Sequence, residues 1–455
     1  MKFSGLVGAS VLAMAVAFVP VGAAQAQSIP QALAAAYDHS PDLQAAVVSA
    51  KQAAERIVQA KSGQSPNISA TITGGQAQSL IGGGWTAPVT SLGTSLDYGQ
   101  TIFDSGATEA QIEAARAGAE VAELQIRVAE QNVLFQVVQA YMKVLSGRQL
   151  LALRQDNITF FQAQLQSAQD RLEVGEGTRI DVAQAQARLA QVQAAYQASI
   201  ASLQTAEASF QRLVGISAHS LSPNHNYNRL IPNSLEAAIA EAEIGHPGIR
   251  LAQAGIRAAA AGLDVAQAGF GPTAAISGSV GSSWTGPAGG ARDGFNASVG
   301  FRISVPLYSG GRLGSAVRNA NLGQIKSEVD AMSAYDQIRE AVIAAWAGIQ
   351  SADAQINAAQ ASVTASNTVL DGVIQELDLG TRTTLDVLNS QAELTSAREQ
   401  LINASTNKVI ATFSLLSALG RLTASDLGLP VEVKSAVRYT DAVEDVWQEL
   451  RTVVE

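Results

Sequence analysis

The hydrophobic pattern of the chain alternates with a period of two in two stretches, about residues 66–103 and about 272–308. Ser, Thr and Gly alternate there with Ile, Val, Leu and aromatic side chains, which is typical of β-strands. A Gly- and Pro-rich segment interrupts each stretch, at 81–88 in the first and at 285–294 in the second. Because such segments favour tight turns, each stretch is predicted to form one β-hairpin.

The predicted strands, at roughly 10 to 13 residues, are long enough to cross a bilayer when tilted. A soluble β-sandwich is the alternative interpretation of the same pattern. Four strands in one chain cannot close a barrel, and open sheet edges are not tolerated in lipid. If the strands span a membrane, three or more chains must therefore share one barrel.

The rest of the chain has a helical pattern. Helices are predicted over 29–41, 42–63, 107–173 and 178–213, and again over 234–247, 248–269, 312–376 and 383–418. The two longest runs contain no proline and, at 1.5 Å per residue, reach about 100 Å. In each half, the helices of about 22 and 36 residues together span about 87 Å. They are therefore expected to stack end to end beside the long helix, with coiled-coil-like packing.

The two halves of the chain repeat one pattern at a spacing of about 205 residues. Four markers of the first half, Gly106, Gly175, Asp181 and Gly215, recur as Gly311, Gly380, Asp386 and Gly420. This register indicates a duplicated unit, with repeats at 27–215 and 234–420. The connector 216–233 and the tail 421–455 are predicted to form a small belt around the helices. A protomer with two such units is pseudo-symmetric and suits a closed ring of copies.

Residues 1–26 are predicted to be a secretory signal rather than part of the fold. Lys2 supplies its positive end, residues 5–19 its apolar stretch and 24–26 its small-residue cleavage site. The mature chain is then expected to begin at Gln27 without a lipid. Loss of Lys2 takes the formal net charge from -10 to about -11, which argues against nucleic acid as a partner, because nucleic-acid binding needs a basic surface.

The sequence offers no candidate for catalysis or for a cofactor. It contains no cysteine, so disulfides, thiolate metal sites and a cysteine nucleophile are excluded. The histidines at 39, 219, 225 and 246 lack zinc-ligand spacing and are interpreted as structural. HExxH, P-loop and serine-elbow motifs are absent, so the chain is not expected to be an enzyme.

Several segments together resemble the TolC family of outer-membrane efflux channels. They are YGQTIFDSG (98–106), VPLYSGG (305–311), LGTRTTLDVLNSQAEL (379–394) and FSLLSALGRLTASDL (413–427). The resemblance covers the whole mature chain and implies a homotrimer. In that trimer, a 12-stranded barrel in the outer membrane continues into a 12-helix periplasmic tunnel.

The resemblance also implies partners. A periplasmic adaptor and an inner-membrane pump, of the RND or ABC type, deliver substrates to such channels, and outer-membrane lipid surrounds the barrel. Without an N-terminal cysteine the chain is closer to the non-lipidated branch, which serves drug efflux and type I protein secretion. The exported substrate is not encoded in the motifs.

The resemblance places a periplasmic gate at the turns between the long helices. Asp386 matches an inward-facing carboxylate that forms a ring of three, which attracts cations; the alternative is an Asp that only stabilises a helix N-terminus. A second acidic position of the family is Asn389 here, so fewer charges are expected. Asp181 and Arg382 match positions that hold the entrance closed between neighbouring helix pairs, or else are a helix-start Asp and a solvated Arg.

Two members of that polar network are replaced, because the family's Tyr and Thr are Leu377 and Ile180 here. Gly175 and Gly380 are expected to end helices at positive φ and, by resemblance, to receive the adaptor. Aromatic residues beside the hairpins are candidates for the membrane interface, with interior packing as the alternative. They are Trp85, Tyr98, Phe103, Trp284, Phe295, Phe301 and Tyr308.

The leading function is therefore a passive export duct. A structural or adhesive coiled-coil surface protein would explain the helices but not two hairpins at matching places. A periplasmic adaptor would have long helical hairpins but no membrane barrel.

Overall fold

The computed structural model of the chain describes residues 27–85, 87–224, 226–287 and 292–446. The predicted signal segment and His225 lie outside these residues. The helices are α1 (Ile29–His39), α2 (Pro41–Lys61), α3 (Ala107–Glu173), α4 (Arg179–Val214), α5 (Leu235–Gly245), α6 (Pro247–Ala268), α7 (Arg312–Asp378), α8 (Thr384–Ala418) and α9 (Val437–Val443). The strands are β1 (Asn67–Ala77), β2 (Leu80–Ile81), β3 (Gly84–Trp85), β4 (Val89–Phe103), β5 (Thr273–Pro287) and β6 (Arg292–Ser304).

Glycines in the left-handed conformation bound the two long helices. Gly106 and Gly311 precede α3 and α7 at φ values of 83° and 82°, which only a residue without Cβ adopts at little cost. Both helices have 67 residues. α3 covers the predicted range, and α7 ends two residues beyond the predicted 376. Across the described part of the chain, none of the helices is both long and apolar enough to cross a bilayer.

The shorter helices lie end to end along the long ones. α2 and α4 both pack on α3, and α6 and α8 both pack on α7. Gly215, which caps α4, lies against the ring of His39, and a Cβ there would be 2.6 Å from the Cγ of His39. Likewise, a Cβ at Gly420 would be 2.8 Å from the Cα of His246, directly before α6. The end of α4 therefore meets the start of α2, and the end of α8 meets the start of α6, as predicted.

The hairpins join in one antiparallel sheet with strand order β1-β4-β5-β6. The β4–β5 pair connects the two halves, with Leu96 opposite Val280. Among the described residues, β1 and β6 each pair on one side only, so both edges of the sheet are open. The register shifts between Thr101 and Phe103, and this bulge brings Phe103 to the sheet face of Ala274.

The hairpin ends differ from the prediction in two places. The first tip contains a short ladder of β2 and β3, turned by Gly82 and Gly83 at positive φ, where only a loop was expected. In the second hairpin β6 stops at Ser304, whereas the alternating pattern continued to 308. Pro306 lacks an N–H group and cannot extend a strand ladder, which accounts for the earlier end.

The largest apolar core lies where α1, α2 and the C-terminal segment (residues 421–446) meet the middle of α3. Its large, fully buried side chains include Tyr37, Tyr141, Phe210 and Phe413. The hydroxyl of Tyr141 donates to the carbonyl of Ser222 and accepts from its N–H, each at 2.8 Å. The connector is thereby fixed to α3.

Hydrogen bonds tie the C-terminal segment to α1, α2 and α3. The N–H of Lys434 donates to the hydroxyl of Tyr37 at 2.9 Å, and Lys61 donates to the carbonyl of Glu444 at 2.8 Å. Burial raises the pKa of Tyr37, although the hydrogen bond from the N–H of Lys434 opposes the shift. Two further N–H groups donate to carboxylates of α3, Ala436 to Glu123 at 2.9 Å and Ala424 to Glu130 at 2.6 Å.

Candidate functional site

The α3–α4 turn (174–178) and the α7–α8 turn (379–383) lie together at the end of the helices farthest from the sheet. α3 starts directly after β4 and runs for about 100 Å, which sets this separation. A polar cavity of about 220 Å³ lies between the turns. Its lining includes Arg171, Glu176, Asp181, Leu377, Arg382 and Thr383. Asp181 and Arg382, which are far apart in sequence, therefore share one cavity.

Asp386 caps the first turn of α8. Its carboxylate accepts from the N–H and the hydroxyl of Thr383 at 3.0 and 2.8 Å. Asp181 makes the same two bonds to Thr178 at 3.0 and 2.7 Å. The hydrogen bonds from Thr383, with the nearby charge of Arg382, hold the pKa of Asp386 below its usual value. The helix-start role is thus observed for both residues, and Asp386 is charged at neutral pH.

Arg382 forms an ion pair with Glu376, a residue near the end of α7. Its Nε donates to Glu376 at 2.8 Å, and both side chains are about half exposed. This hydrogen bond raises the pKa of Arg382. Within the chain, the carboxylate of Asp181 is held by Thr178 and the guanidinium of Arg382 by Glu376. A direct link between Asp181 and Arg382, predicted to join neighbouring helix pairs, stays a prediction.

Two polar contacts at this end join the halves of the chain, and sequence reasoning missed both. Arg171, near the end of α3, forms an ion pair with Asp378 of α7 at 3.0 Å. Arg188 of α4 donates to the Oδ1 of Asn389 on α8, also at 3.0 Å. The only sequence signal for the first pair was the position of two opposite charges just before equivalent turns.

Leu377 and Ile180, which stand where the family has a polar Tyr and Thr, lie in different environments. Leu377 packs against the apolar cluster of Leu370, Val387 and Leu394. Ile180 is 67% exposed. Leu377 therefore stabilises the α7–α8 pair by apolar contact, where the family has a polar hydroxyl.

Behind the turns, a buried polar layer crosses the helix interface. The Oδ1 of Asn157 on α3 accepts from Gln391 at 2.9 Å and from Thr395 at 3.1 Å, both on α8. All three side chains are buried. Buried, satisfied polar groups of this kind fix the register of packed helices.

The glycine turns present open surface. Gly175 and Gly380 have φ values of 82° and 78°, and a Cβ at either position would meet no atom within 4 Å. The N–H of Glu176 donates to the carbonyl of Arg171 at 2.8 Å, and that of Thr381 to Glu376 at 2.9 Å, which closes each helix end. Both glycines are therefore helix caps with free space outside them.

The sheet has one apolar and one polar face. Exposed apolar side chains such as Ile72 (77%) and Val299 (89%) alternate with Ser, Thr and Gly on the other face. A soluble sandwich would bury this apolar face against a second layer. In the described chain nothing packs on it, so the sheet has the pattern of a lipid-facing wall.

Aromatic residues on the apolar face fall at two levels. Trp284 lies opposite Leu92 near the tips, whereas Phe301 lies opposite Ile276 near the helices. The eight residue steps from Ile276 to Trp284 span about 27 Å along the strand, similar to the apolar band of about 25 Å in membrane β-proteins. Phe295 is at the first level, and Tyr98 and Phe103 are near the second. Trp85 and Tyr308 lie beyond the levels and are 69% and 90% exposed.

The histidines and carboxylates at these surfaces have structural roles. Among the described residues, no group of three or more His, Asp or Glu side chains is arranged to hold a metal ion. His246 accepts the N–H of Gly248 on its Nδ1 at 3.0 Å, and burial lowers its pKa. It therefore caps α6, and His39 packs on Gly215 as described above.

A sheet with an exposed apolar face, continued by paired helices of about 100 Å, is an architecture that fits the class of outer-membrane channel proteins. The family model "Outer membrane efflux protein" matches residues 32–216 and 238–421. The chain is 34% identical over 436 residues to the outer membrane efflux protein BepC of Brucella suis, covering 94% of this chain and 93% of BepC. It belongs to the outer membrane efflux protein family.

Two further comparisons agree. The outer membrane protein TolC of Escherichia coli is 26% identical over 420 residues, with 89% of this chain and 84% of TolC covered. The crystal structure of the CmeC outer membrane channel of Campylobacter jejuni superposes with a TM-score of 0.73 at 16% identity, over 86% and 85% of the two chains. The chain is therefore an outer-membrane efflux channel of TolC-like fold, in a family of channels and not of enzymes. The adhesive-protein and adaptor alternatives are not supported.

Proposed function

We propose that three copies of this chain form one channel-tunnel, the exit duct of a tripartite efflux pump or type I secretion system. The observation that carries the proposal is the sheet with two open edges and one uncovered apolar face. Backbone groups at an open edge have no hydrogen-bond partner in lipid, so the edges must pair with other copies. Three four-stranded sheets give a closed barrel of 12 strands in outer-membrane lipid.

An uncovered stripe on α7 supports contact between copies over the helices. Its apolar residues recur every three or four positions, which is the spacing of a coiled-coil seam. They are Leu322, Ile325, Val329 and Met332, each between 46% and 69% exposed. Four long helical columns per chain then give a tunnel of 12 helices.

The duplicated organisation is also part of the proposal. α1 and α5 have 11 residues each, α3 and α7 have 67 each, and the family model matches once in each half. We infer one repeat at 27–215 and one at 234–420. The connector 216–233 and the tail 421–455 form the belt, whose described part packs at the middle of α3.

The turns at 174–178 and 379–383 form the periplasmic entrance and receive the adaptor and pump. The open space outside Gly175 and Gly380 supports this docking, because a partner can approach the backbone closely there. Asp181 and Arg382 join neighbouring copies when the entrance is closed. Their present partners are exposed and water-accessible, so exchange between partners is easy. The duct uses no cofactor and performs no catalysis.

Gly380→Asn is expected to abolish pump-coupled efflux while the channel itself survives. Asn tolerates positive φ better than other residues with a side chain, and the open space at Gly380 accepts it. Purified protein should remain a trimer with normal conductance in a planar bilayer. Cells that carry the variant as their only copy should become as drug-sensitive as cells without the gene.

The matched control is Gly428→Asn, since Gly428 also has positive φ and open space but lies in the C-terminal segment. Efflux by this control should be normal. Unimpaired efflux with Gly380→Asn would remove the docking assignment. A wild-type protein that is monomeric in mild detergent, or forms no channels, would refute the proposed function itself.

Asp386→Asn is expected to weaken block of the channel by multivalent cations added on the periplasmic side. Asn can still accept the N–H of Thr383, so the cap is retained while the charge is lost. In the wild type, the hydrogen bonds from Thr383 lower the pKa of Asp386. The charge is present above that lowered pKa and disappears as the pH falls through it. Block should therefore persist at pH 5 and vanish only below the usual Asp range of about 4.

The measurement is single-channel current at several pH values, with Asp330→Asn as control. Asp330 is an exposed partner of Lys326 in the first third of α7, far from the turn that carries Asp386. Equal block in Asp386→Asn and wild type would show that Asp386 does not face the conduction path.

A further inference from the structure

Asn389, about one helical turn after Asp386 on α8, is hydrogen-bonded to the cationic side chain of Arg188. The guanidinium of Arg188 donates to the Oδ1 of Asn389 at 3.0 Å and to the Oε1 of Gln191 at 3.2 Å. Gln191 is on the same helix as Arg188, whereas Asn389 is on α8. The two bonds fix the guanidinium beside the α8 face that carries Asn389.

The positive charge of Arg188 is not compensated by a neighbouring carboxylate. Both acceptors are neutral amides. In the described part of the chain, no Asp or Glu oxygen lies within 4 Å of Arg188, whereas Arg171 and Arg382 each form an ion pair. Arg188 is half-buried, and both of its hydrogen bonds lie at exposed positions, so part of its field reaches the adjoining water.

Each chain thus brings two opposite charges to neighbouring turns of this end. Asp386 is negative, and its pKa is lowered. Asn389 lies three residues further along α8, about 4.5 Å along the helix axis. The guanidinium of Arg188 is hydrogen-bonded to it. A carboxylate at position 389 would attract cations into a constriction, but an amide bound to a guanidinium repels them.

We propose that Arg188 is a selectivity-determining residue of the periplasmic entrance, and that with Asn389 it offsets the cation preference of Asp386. The proposal rests on the trimeric channel proposed above. Three guanidiniums and three carboxylates then surround the entrance in adjacent layers. Organic anions pass such an entrance more readily than one with two carboxylate layers, and multivalent cations bind it less tightly.

The test is the K⁺/Cl⁻ permeability ratio of purified channels in a planar bilayer under a KCl gradient. Arg188→Gln keeps much of the side-chain length but removes the charge. It should raise the ratio about threefold in 0.1 M salt, and much less in 1 M salt because of screening. Arg188→Lys keeps the charge and should retain the wild-type ratio.

The matched control is Arg212→Gln on the same helix, which makes the same change in net charge. Arg212 is exposed and lies 24 residues from Arg188, about 36 Å along α4, so the ratio should not change. If Arg188→Gln and Arg212→Gln give the same ratio, or if Arg188→Lys shifts it as far as Arg188→Gln, the proposal is overturned. Either result leaves the channel function intact, because that function fails if the wild-type protein is monomeric or forms no conducting pores.

Discussion

Glu130→Ala is expected to lower the free energy of unfolding by about 3–5 kcal/mol, because it breaks a charge pair whose carboxylate is fully buried. The Glu130 side chain is fully buried on α3. One carboxylate oxygen accepts from Arg127 at 2.9 Å, and the other accepts from the N–H of Ala424 at 2.6 Å. Alanine leaves this N–H buried without a partner and leaves Arg127 with only the more distant carboxylate of Glu123, at 4.0 Å.

Glu130→Gln separates the hydrogen bond from the charge. The amide oxygen can still accept from Ala424, so the cost should fall to about 1–3 kcal/mol. Asp330→Ala is the control, since it breaks an exposed helix pair with Lys326 that is worth about 0.3–0.5 kcal/mol. Urea unfolding followed by circular dichroism measures all three. Equal midpoints for Glu130→Ala and Asp330→Ala would contradict the anchoring role of Glu130.

Gly420→Ala is expected to cost about 2–5 kcal/mol, the sum of two penalties. The φ value of 80° is left-handed, which costs an L-residue about 1–2 kcal/mol. The new Cβ would also lie 2.8 Å from the Cα of His246 and from the Cδ of Pro247. Backbone and proline ring cannot turn away, so α8 and α6 must separate, and overpacking of this kind costs about 1–3 kcal/mol.

Gly215→Ala should cost less than Gly420→Ala, because the obstacle at Gly215 is the His39 ring, a side chain that can rotate. Gly118→Ala, in contrast, is expected to stabilise the protein. It lies inside α3, and no atom lies within 4 Å of the place that its new methyl group would take, so alanine should stabilise the helix by about 0.5–1 kcal/mol. Thermal unfolding of the purified variants gives the comparison. A Gly420→Ala protein as stable as Gly118→Ala would show that the helix ends do not meet.

The helices and strands were predictable because their signals are local. Gly106 and Gly175 enclose an uninterrupted helical pattern, so α3 was located to the residue. Alternation located the strands, and Pro306 explains why β6 ends before the alternation does. Helix lengths also predicted the end-to-end arrangement. These features depend on periodicity and on residues with restricted or unusual φ, which the sequence displays directly.

The polar contacts at the helix turns farthest from the sheet were not predictable in the same way. Arg382 matched a position that bonds between helix pairs, yet within the chain it lies on Glu376, six residues away. The Arg188–Asn389 and Arg171–Asp378 contacts join residues about 200 positions apart. No periodic pattern encodes such pairs, because they depend on how two helical columns are rotated about their axes.

The C-terminal segment also sets an order of events during biogenesis. Lys434 bonds to Tyr37 across 397 residues of sequence, and Ala424 bonds to Glu130 across 294. A chain that leaves the ribosome and crosses a membrane from its N-terminus delivers α1, α2 and α3 long before these partners. Contacts between such distant residues carry the entropy of closing long loops and form late. The core around the first helices is therefore complete only when the C-terminal segment has arrived.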